Sequence, residues 1–126
     1  MTLILDAGAF FALERDDRAM WRRLKAAQLS GTPPLTHGGV VAQIWRDGFG
    51  RQVLLARALA GVDVAGLDDV LGRRAGMLLA RTAGHDAIDA AVVGLASDDD
   101  HIITSDADDI QRLVGAAGIH VDVIPV

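Results

Sequence analysis

Hydrophobic residues follow two spacings along the chain. Residues 2–5 and 102–104 form short apolar runs, which predict strands buried on both faces of a sheet. Residues 20–27 repeat apolar positions every three or four residues and predict an amphipathic helix. Residues 86–97 are apolar on nearly every side, which predicts a central, buried helix.

The same patterns, separated by glycine and proline, predict the order of elements. Strands are expected at residues 2–5, 34–36, 62–65, 102–104 and 120–124, and helices at residues 6–13, 17–30, 40–45, 52–60, 67–82, 86–97 and 107–117. Strands that alternate with helices predict an α/β fold with a parallel sheet covered on both faces. A length of 126 residues fits one domain, residues 1–126.

Composition narrows the class of protein. Apolar residues make up 51% of the chain, which is typical of a globular protein, and the net charge of −5 argues against blanket attraction to nucleic acid. The absence of cysteine excludes disulfides and thiolate metal sites. No signal peptide or membrane-length apolar run is visible, so we expect a cytoplasmic protein with no membrane contact.

Acidic residues stand where predicted strands end and helices begin. Asp6 and Asp106 each follow an apolar strand, and Asp86 opens the most apolar helix. Asp89 and Asp109 come three residues after Asp86 and Asp106. Each acid taken alone is explained by helix capping, since aspartate is a favoured cap and complements the helix dipole.

The acids taken together favour a metal site. The carboxyl ends of parallel strands share one edge of a sheet, where ligands bind. Several carboxylates gathered there would repel one another unless a hard cation such as Mg²⁺ or Mn²⁺ bound them. Such a cation supports phosphodiester cleavage by activating water and stabilising charge on the phosphate.

Other chemistries have weaker support. The sequence lacks a Walker loop, a dinucleotide fingerprint and a Gly-x-Ser-x-Gly elbow. It also lacks the acidic pairs of phosphatases and receiver domains of similar architecture after its first strand. The histidines have no metal-ligand spacing and are interpreted as packing, capping or surface residues: His37, His85, His101 and His120.

Three motifs in this order, at residues 3–7, 86–91 and 103–110, resemble the PIN domain, and in particular the VapC toxins of toxin–antitoxin pairs. The resemblance spans the chain and implies a Rossmann-like α/β/α sandwich with a short, mostly parallel sheet. It also implies an Mg²⁺- or Mn²⁺-dependent endoribonuclease that cuts RNA of the tRNA or rRNA class. A cognate antitoxin and a homodimer would be its protein partners.

The resemblance assigns roles residue by residue. Asp6, Asp86, Asp106 and Asp109 match catalytic acids, and the first three of them match metal ligands. Residues expected beside the ligands are Gln43, Asp89, Thr104 and Asp108.

One position departs from the family pattern. Gln43 stands where the family usually has a glutamate, and an amide adds no negative charge and cannot act as a general base. An alternative function is therefore a catalytically weak or inactive module that binds RNA or a protein partner. Arg46 and Arg51 follow Gln43 and are expected either to contact the RNA backbone or to lie on solvated helix faces.

Overall fold

Five parallel strands form one sheet in this computed structural model, which describes residues 1–47, 50 and 52–126. In chain order they are β1 (Leu3–Leu5), β2 (Leu35–His37), β3 (Asp63–Ala65), β4 (His101–Thr104) and β5 (Asp122–Pro125). Their spatial order is β3-β2-β1-β4-β5, and every neighbouring pair is parallel. The predicted parallel sheet is confirmed, with β5 at an edge as expected.

Helices cover both faces of this sheet. They are α1 (Ala7–Glu14), α2 (Arg18–Leu29), α3 (Gly38–Ile44), α4 (Val53–Leu59), α5 (Asp69–Thr82), α6 (Ala87–Leu95) and α7 (Ala107–Ala117). Helix α1 packs against α2, α3 and α4, whereas α5, α6 and α7 pack against one another. Right-handed crossovers place these two groups on opposite faces, which gives the expected α/β/α sandwich.

The strand order creates a crevice between β1 and β4. The chain leaves β1 towards β2 on one side, and leaves β4 towards β5 on the other. Helices α1 and α7 therefore diverge onto opposite faces at the carboxyl ends of two adjacent strands, which is where open α/β sheets bind ligands. The central strands are fully apolar at this point, with Leu5 and Ile103 paired and buried.

The boundaries of α3 and β5 differ from the predicted ones. Helix α3 ends at Ile44, one residue before Trp45, because the Gln52 side chain donates to the Ile44 carbonyl and accepts from Arg46 N–H. Strand β5 begins at Asp122 instead of residue 120. The His120 backbone is bonded to the preceding loop, since it donates to Asp98 and accepts from Asp99 N–H.

The buried helix α6 is also shorter than predicted, since it ends at Leu95. Asp100 stabilises this ending: its carboxylate accepts from Ser97 N–H at 2.9 Å and from Thr2 N–H at 2.8 Å. These two bonds fix the start of β1 beside the loop before β4. Among the described helices, none has the length and apolarity needed to span a bilayer.

Candidate metal centre

Asp6 and Asp106 meet through the hydroxyl of Thr104. Asp6 N–H continues the sheet ladder by donating to the Ile103 carbonyl at 3.1 Å, so the residue is fixed at the end of β1. The Thr104 hydroxyl donates to Asp6 Oδ2 at 2.7 Å and accepts from Asp106 N–H at 2.9 Å. The side chains of Asp6 and Thr104 are buried. Thr104 was expected beside the metal ligands. It orients the Asp6 carboxylate and anchors the loop that carries Asp106.

Asp89, Asp106 and Asp109 form a tighter group. Each offers a carboxylate oxygen, and these oxygens lie within 4.8 Å of one another. Asp89 comes from the first turn of α6, and Asp109 from the first turn of α7. Asp89 is buried, Asp106 is exposed and the Asp109 side chain is half exposed. One side of the group thus faces solvent, so a hydrated cation can enter.

The charge of Asp89 is poorly tolerated where it lies. Burial, together with the nearby carboxylates of Asp6, Asp86, Asp106 and Asp109, raises the pKa of Asp89 to about 7. Without a bound cation, the Asp89 carboxyl group is therefore partly protonated near neutral pH. A cluster of hard oxygen donors whose mutual repulsion is this strong suits a divalent cation such as Mg²⁺ or Mn²⁺.

Asp106 is not engaged as a helix cap. It precedes α7, but its side chain makes no capping hydrogen bond. Partial desolvation and contact with the Asp109 carboxyl group raise the pKa of Asp106. The capping alternative therefore does not explain this acid, and its carboxylate is directed to its acidic neighbour.

Asp86, by contrast, is a helix cap. Its Oδ1 accepts from Ile88 N–H and Asp89 N–H, both at 3.0 Å, and the residue is exposed. The family resemblance assigned the metal-ligand role to Asp86 and a position beside the ligands to Asp89. The structure instead groups the Asp89 carboxylate with those of Asp106 and Asp109. The signal in the sequence was a single acid inside an almost wholly apolar helix, where a charge is costly unless compensated.

His37 positions the start of α6. The ring is fully buried, with Nδ1 accepting from Gly39 N–H at 3.0 Å and Nε2 3.0 Å from the Ile88 carbonyl. This pairing requires a neutral ring that donates through Nε2. Burial lowers the pKa of His37, although the Ile88 carbonyl and the Asp6 charge oppose that effect. The imidazole therefore links the end of β2 to the residue preceding Asp89, which agrees with the expected capping role.

Gly8 allows α1 to approach the loop after β4. A Cβ atom at this position would lie 2.7 Å from the backbone nitrogen of Ser105 and 2.6 Å from its Cβ. Any larger residue would have to push this loop away. Because the loop leads directly into Asp106, Gly8 sets the spacing between Asp6 and Asp106.

Of the remaining residues predicted to lie near the site, some line a cavity with the acids and others do not. Gln43 and Arg46 line a cavity together with Asp6, Asp89 and Asp106. The Arg46 guanidinium donates to the Ala42 and Trp45 carbonyls, so it is held at the end of α3. Asp108 is exposed on the first turn of α7. Arg51, the other expected RNA contact, lies outside the described residues.

Neither a protein-family model nor a curated protein sequence matches this chain. A solved structure does match: the crystal structure of VapBC2 from Rickettsia felis bound to a DNA fragment from their promoter. The identity is 11%, the match covers 98% of each chain, and the TM-score is 0.72. At 11% identity this likeness shows the fold alone, and the chain has the PIN-like α/β/α architecture expected from its sequence.

Proposed function

We propose that this protein is a metal-dependent endoribonuclease that acts as the toxin of a toxin–antitoxin pair. The observation that carries the proposal is the group formed by Asp89, Asp106 and Asp109, joined through Thr104 to Asp6 at the carboxyl ends of β1 and β4. The similarity to a VapBC2 structure supports the toxin assignment, since that complex pairs a chain of the same fold with a partner on promoter DNA.

The donor set fits a hard divalent cation. Asp6, Asp89, Asp106 and Asp109 would hold Mg²⁺ or Mn²⁺, with Asp86 close enough to add negative charge. A cation bound there would supply activation of water and neutralisation of charge on a phosphate. Neutralisation of charge by the bound cation would allow an acidic protein to act on a polyanion.

The side chains of the protein prepare that chemistry. The hydroxyl of Thr104 donates to one oxygen of Asp6 and keeps the carboxylate oriented beside the metal site. In the metal-free protein the pKa of Asp89 is raised to about 7, and a bound cation would favour the ionised carboxylate that serves as its ligand.

Asp89 also compensates for Gln43. Both residues line the cavity that contains Asp6 and Asp106. The family pattern supplies its second acid at the position of Gln43, and here an acid reaches the same cavity from α6 instead. This placement favours an active enzyme over a module that only binds RNA.

The second candidate function, a catalytically weak binding module, still rests on Gln43, which brings an uncharged amide to the cleft. The two functions differ in the response to Gln43→Glu. For an active enzyme completed by Asp89, the added carboxylate changes cleavage by less than about tenfold. For a disabled enzyme, Gln43→Glu creates or greatly increases cleavage.

The decisive experiment measures RNA cleavage by the purified protein. Total tRNA and rRNA are incubated with Mg²⁺ or Mn²⁺, and products are separated on a gel. We expect cleavage that EDTA abolishes and that falls by 100-fold or more in Asp6→Asn and Asp106→Asn, since removal of one such group commonly costs that much. Asp68→Asn is the matched control, because Asp68 caps the far end of α5 and asparagine caps equally well.

The comparison between acids identifies the ligand supplied by α6. Asp89→Asn should abolish cleavage, whereas Asp86→Asn should retain more of it, because asparagine preserves the cap at α6. Absence of cleavage in every RNA tested, with Mg²⁺ and Mn²⁺ binding intact, would refute the ribonuclease proposal. Co-purification of a second, separately encoded protein that suppresses cleavage would support the toxin–antitoxin assignment.

A further inference from the structure

Basic residues are concentrated in one part of this acidic chain. Residues 18–46 contain five of its 12 arginine and lysine residues and none of its 17 acidic residues. Four of the five lie on α2, and the fifth, Arg46, lines the cavity that contains Asp6 and Asp106. The chain therefore combines a net charge of −5 with a local region of positive charge on α2.

One side of α2 is fixed against the core. Met20 and Leu24 are buried on that side. The indole Nε1 of Trp21 donates to the Leu13 carbonyl at 3.1 Å, and the Asp17 carboxylate caps the helix. These contacts set the rotation of the helix about its axis, so its opposite side faces solvent in a defined orientation.

That opposite side carries three cations, here called the α2 basic row: Arg18, Arg22 and Lys25. Residues four and three positions apart lie on one helical face, and all three are exposed. The row is about 10 Å long, from the rise of an α-helix. Among the described residues, none of the three has an ion pair or a side-chain hydrogen bond, whereas Arg73 and Arg112 each pair with an acid.

A row of unpaired cations suits a ligand with repeated negative charge. Like charges at this spacing slightly destabilise a helix, so the fold itself gains nothing from them. A nucleic-acid backbone carries a charge on every phosphate, and the arginine fork matches the geometry of phosphate oxygens. The acidic group at the carboxyl ends of β1 and β4 repels such a ligand when it holds no metal, and the α2 basic row attracts it.

We propose that the α2 basic row binds the phosphate backbone of RNA outside the acidic cleft and recruits the RNA to this acidic protein. This inference rests on the proposed ribonuclease function and adds a second surface that contacts the substrate. Helix α1 begins directly after Asp6, and its eight residues extend about 12 Å towards the start of α2. A structured RNA longer than this distance can contact the cleft and the row together.

Binding is measured without metal, because the unloaded acids then repel RNA and other surfaces must supply the attraction. A fluorescein-labelled RNA hairpin is titrated with the protein in EDTA over a range of KCl concentrations. The logarithm of the affinity should fall linearly with the logarithm of the salt concentration, by about 0.7–0.9 for each phosphate contacted. Failure of the wild type to bind the hairpin in EDTA would overturn the proposal.

The variants test the row by its charge. The triple variant Arg18→Gln/Arg22→Gln/Lys25→Gln should weaken hairpin binding by about tenfold or more at low salt and reduce the salt slope by about two to three. The double variant Arg18→Lys/Arg22→Lys should bind within about threefold of the wild type, because lysine keeps the charge. Thermal unfolding of each variant verifies that it remains folded.

A matched control is available on α5. The triple variant Arg73→Gln/Arg74→Gln/Arg81→Gln removes the same amount of charge from exposed positions on another helix. We expect this variant to bind the hairpin within about threefold of the wild type. An equal loss in both triple variants would show that only the net charge matters, and it would refute the location on α2.

A competitor tests the chemistry of the ligand. Polyglutamate carries carboxylates at a lower charge density than paired RNA, so at equal total charge it should displace the hairpin poorly. Displacement as efficient as that by unlabelled RNA would indicate an acidic protein partner and would overturn the assignment to RNA.

Cleavage assays separate this inference from the nuclease proposal. With an RNA that the wild type cleaves, the α2 triple variant should raise KM and leave kcat within about twofold, since the row lies outside the cleft. Cleavage with an unchanged KM in that variant would refute the α2 basic row while the nuclease proposal stands. Hairpin binding that depends on the row, in a protein that cuts no RNA, would support the row and refute the nuclease proposal.

Discussion

Replacing Asp89 by asparagine should stabilise the metal-free protein. The side chain keeps its shape and loses its charge, so the substitution removes the cost of burying that charge and the repulsion from the neighbouring carboxylates. The pKa of Asp89 rises from 3.8 to about 7, a shift that corresponds to at most ~4 kcal/mol. Because Asp86 and Asp106 are exposed and Asp109 is half exposed, solvent screens part of this repulsion, and we expect a gain of ~1–2 kcal/mol.

The gain should depend on pH in one direction. An acid whose pKa is raised on folding stabilises the folded protein below its unfolded pKa, and this contribution is lost as pH rises to the folded value. For Asp89 that window runs from about pH 4 to about pH 7. Asparagine mimics the protonated acid, so its advantage over aspartate should be absent at pH 4 and complete at pH 8.

Metal should reverse the order of stability. A ligand that binds only the folded state stabilises it in proportion to occupancy, by ~2.7 kcal/mol at 100 times its Kd. Wild-type protein should therefore gain stability in Mg²⁺ or Mn²⁺, and Asp89→Asn should gain much less. The wild type would then be the less stable protein in EDTA at pH 8 and the more stable one in saturating metal.

The measurement is denaturant unfolding in EDTA and in Mg²⁺, at pH 4, 6 and 8. Asp68→Asn serves as the control, because this cap lies outside the acidic group and should show neither the pH-dependent gain nor the loss of metal response. If Asp89→Asn is no more stable than the wild type at pH 8 in EDTA, the reasoning from charge burial and repulsion is refuted. An unchanged metal response would remove Asp89 from the ligand set.

Three further predictions concern the supports of the site. Thr104→Val should cost about 1–3 kcal/mol of unfolding free energy, since it leaves the buried Asp6 oxygen without its donor, while Thr104→Ser should retain most of the stability and metal affinity. Gly8→Ala should cost about 1–3 kcal/mol and weaken metal binding in calorimetry, because the new Cβ displaces Ser105; a fully stable, metal-binding variant would contradict the close approach. His37 has a lowered pKa, so its contribution to stability should fall as pH drops through about 6.5, where the unfolded chain takes up a proton that the folded ring does not. His37→Gln should lose this component of the pH profile along with about 1–3 kcal/mol of stability, whereas a profile unchanged by His37→Gln would show that other groups cause it.

Local sequence determined most of the fold. The apolar runs at β1 and β4 are unfavourable at a solvent-exposed surface, so they predict buried parallel strands. The alternation of strands and helices then leaves few possible topologies. Asp6 and Asp106 follow these strands directly. Their location at the same edge was therefore predictable from the parallel direction of the strands, and the PIN-like architecture was expected from the resemblance of the three motifs.

Tertiary structure decided the details that chemistry depends on. Asp86 precedes α6 and Asp89 lies in its first turn, and spacing alone cannot show which carboxylate turns inward. The packing of α6 against the sheet, with His37 bonded to Ile88, turns Asp89 towards Asp106 and leaves Asp86 as the cap. Similarly, the short apolar pair of Phe10 and Phe11 is divided by α1 into a core residue and an exposed ring.

The sequence determines some features and the tertiary structure others because the interactions differ in their range along the chain. Burial of apolar runs, capping and turn formation involve neighbours along the chain, so a sequence records them directly. The pKa of Asp89 and the link from Thr104 to Asp6 depend on atoms up to 98 residues apart. Such distances are fixed only when the whole sheet has formed, and the sequence by itself therefore determined the elements, while the folded structure decided how their acids combine.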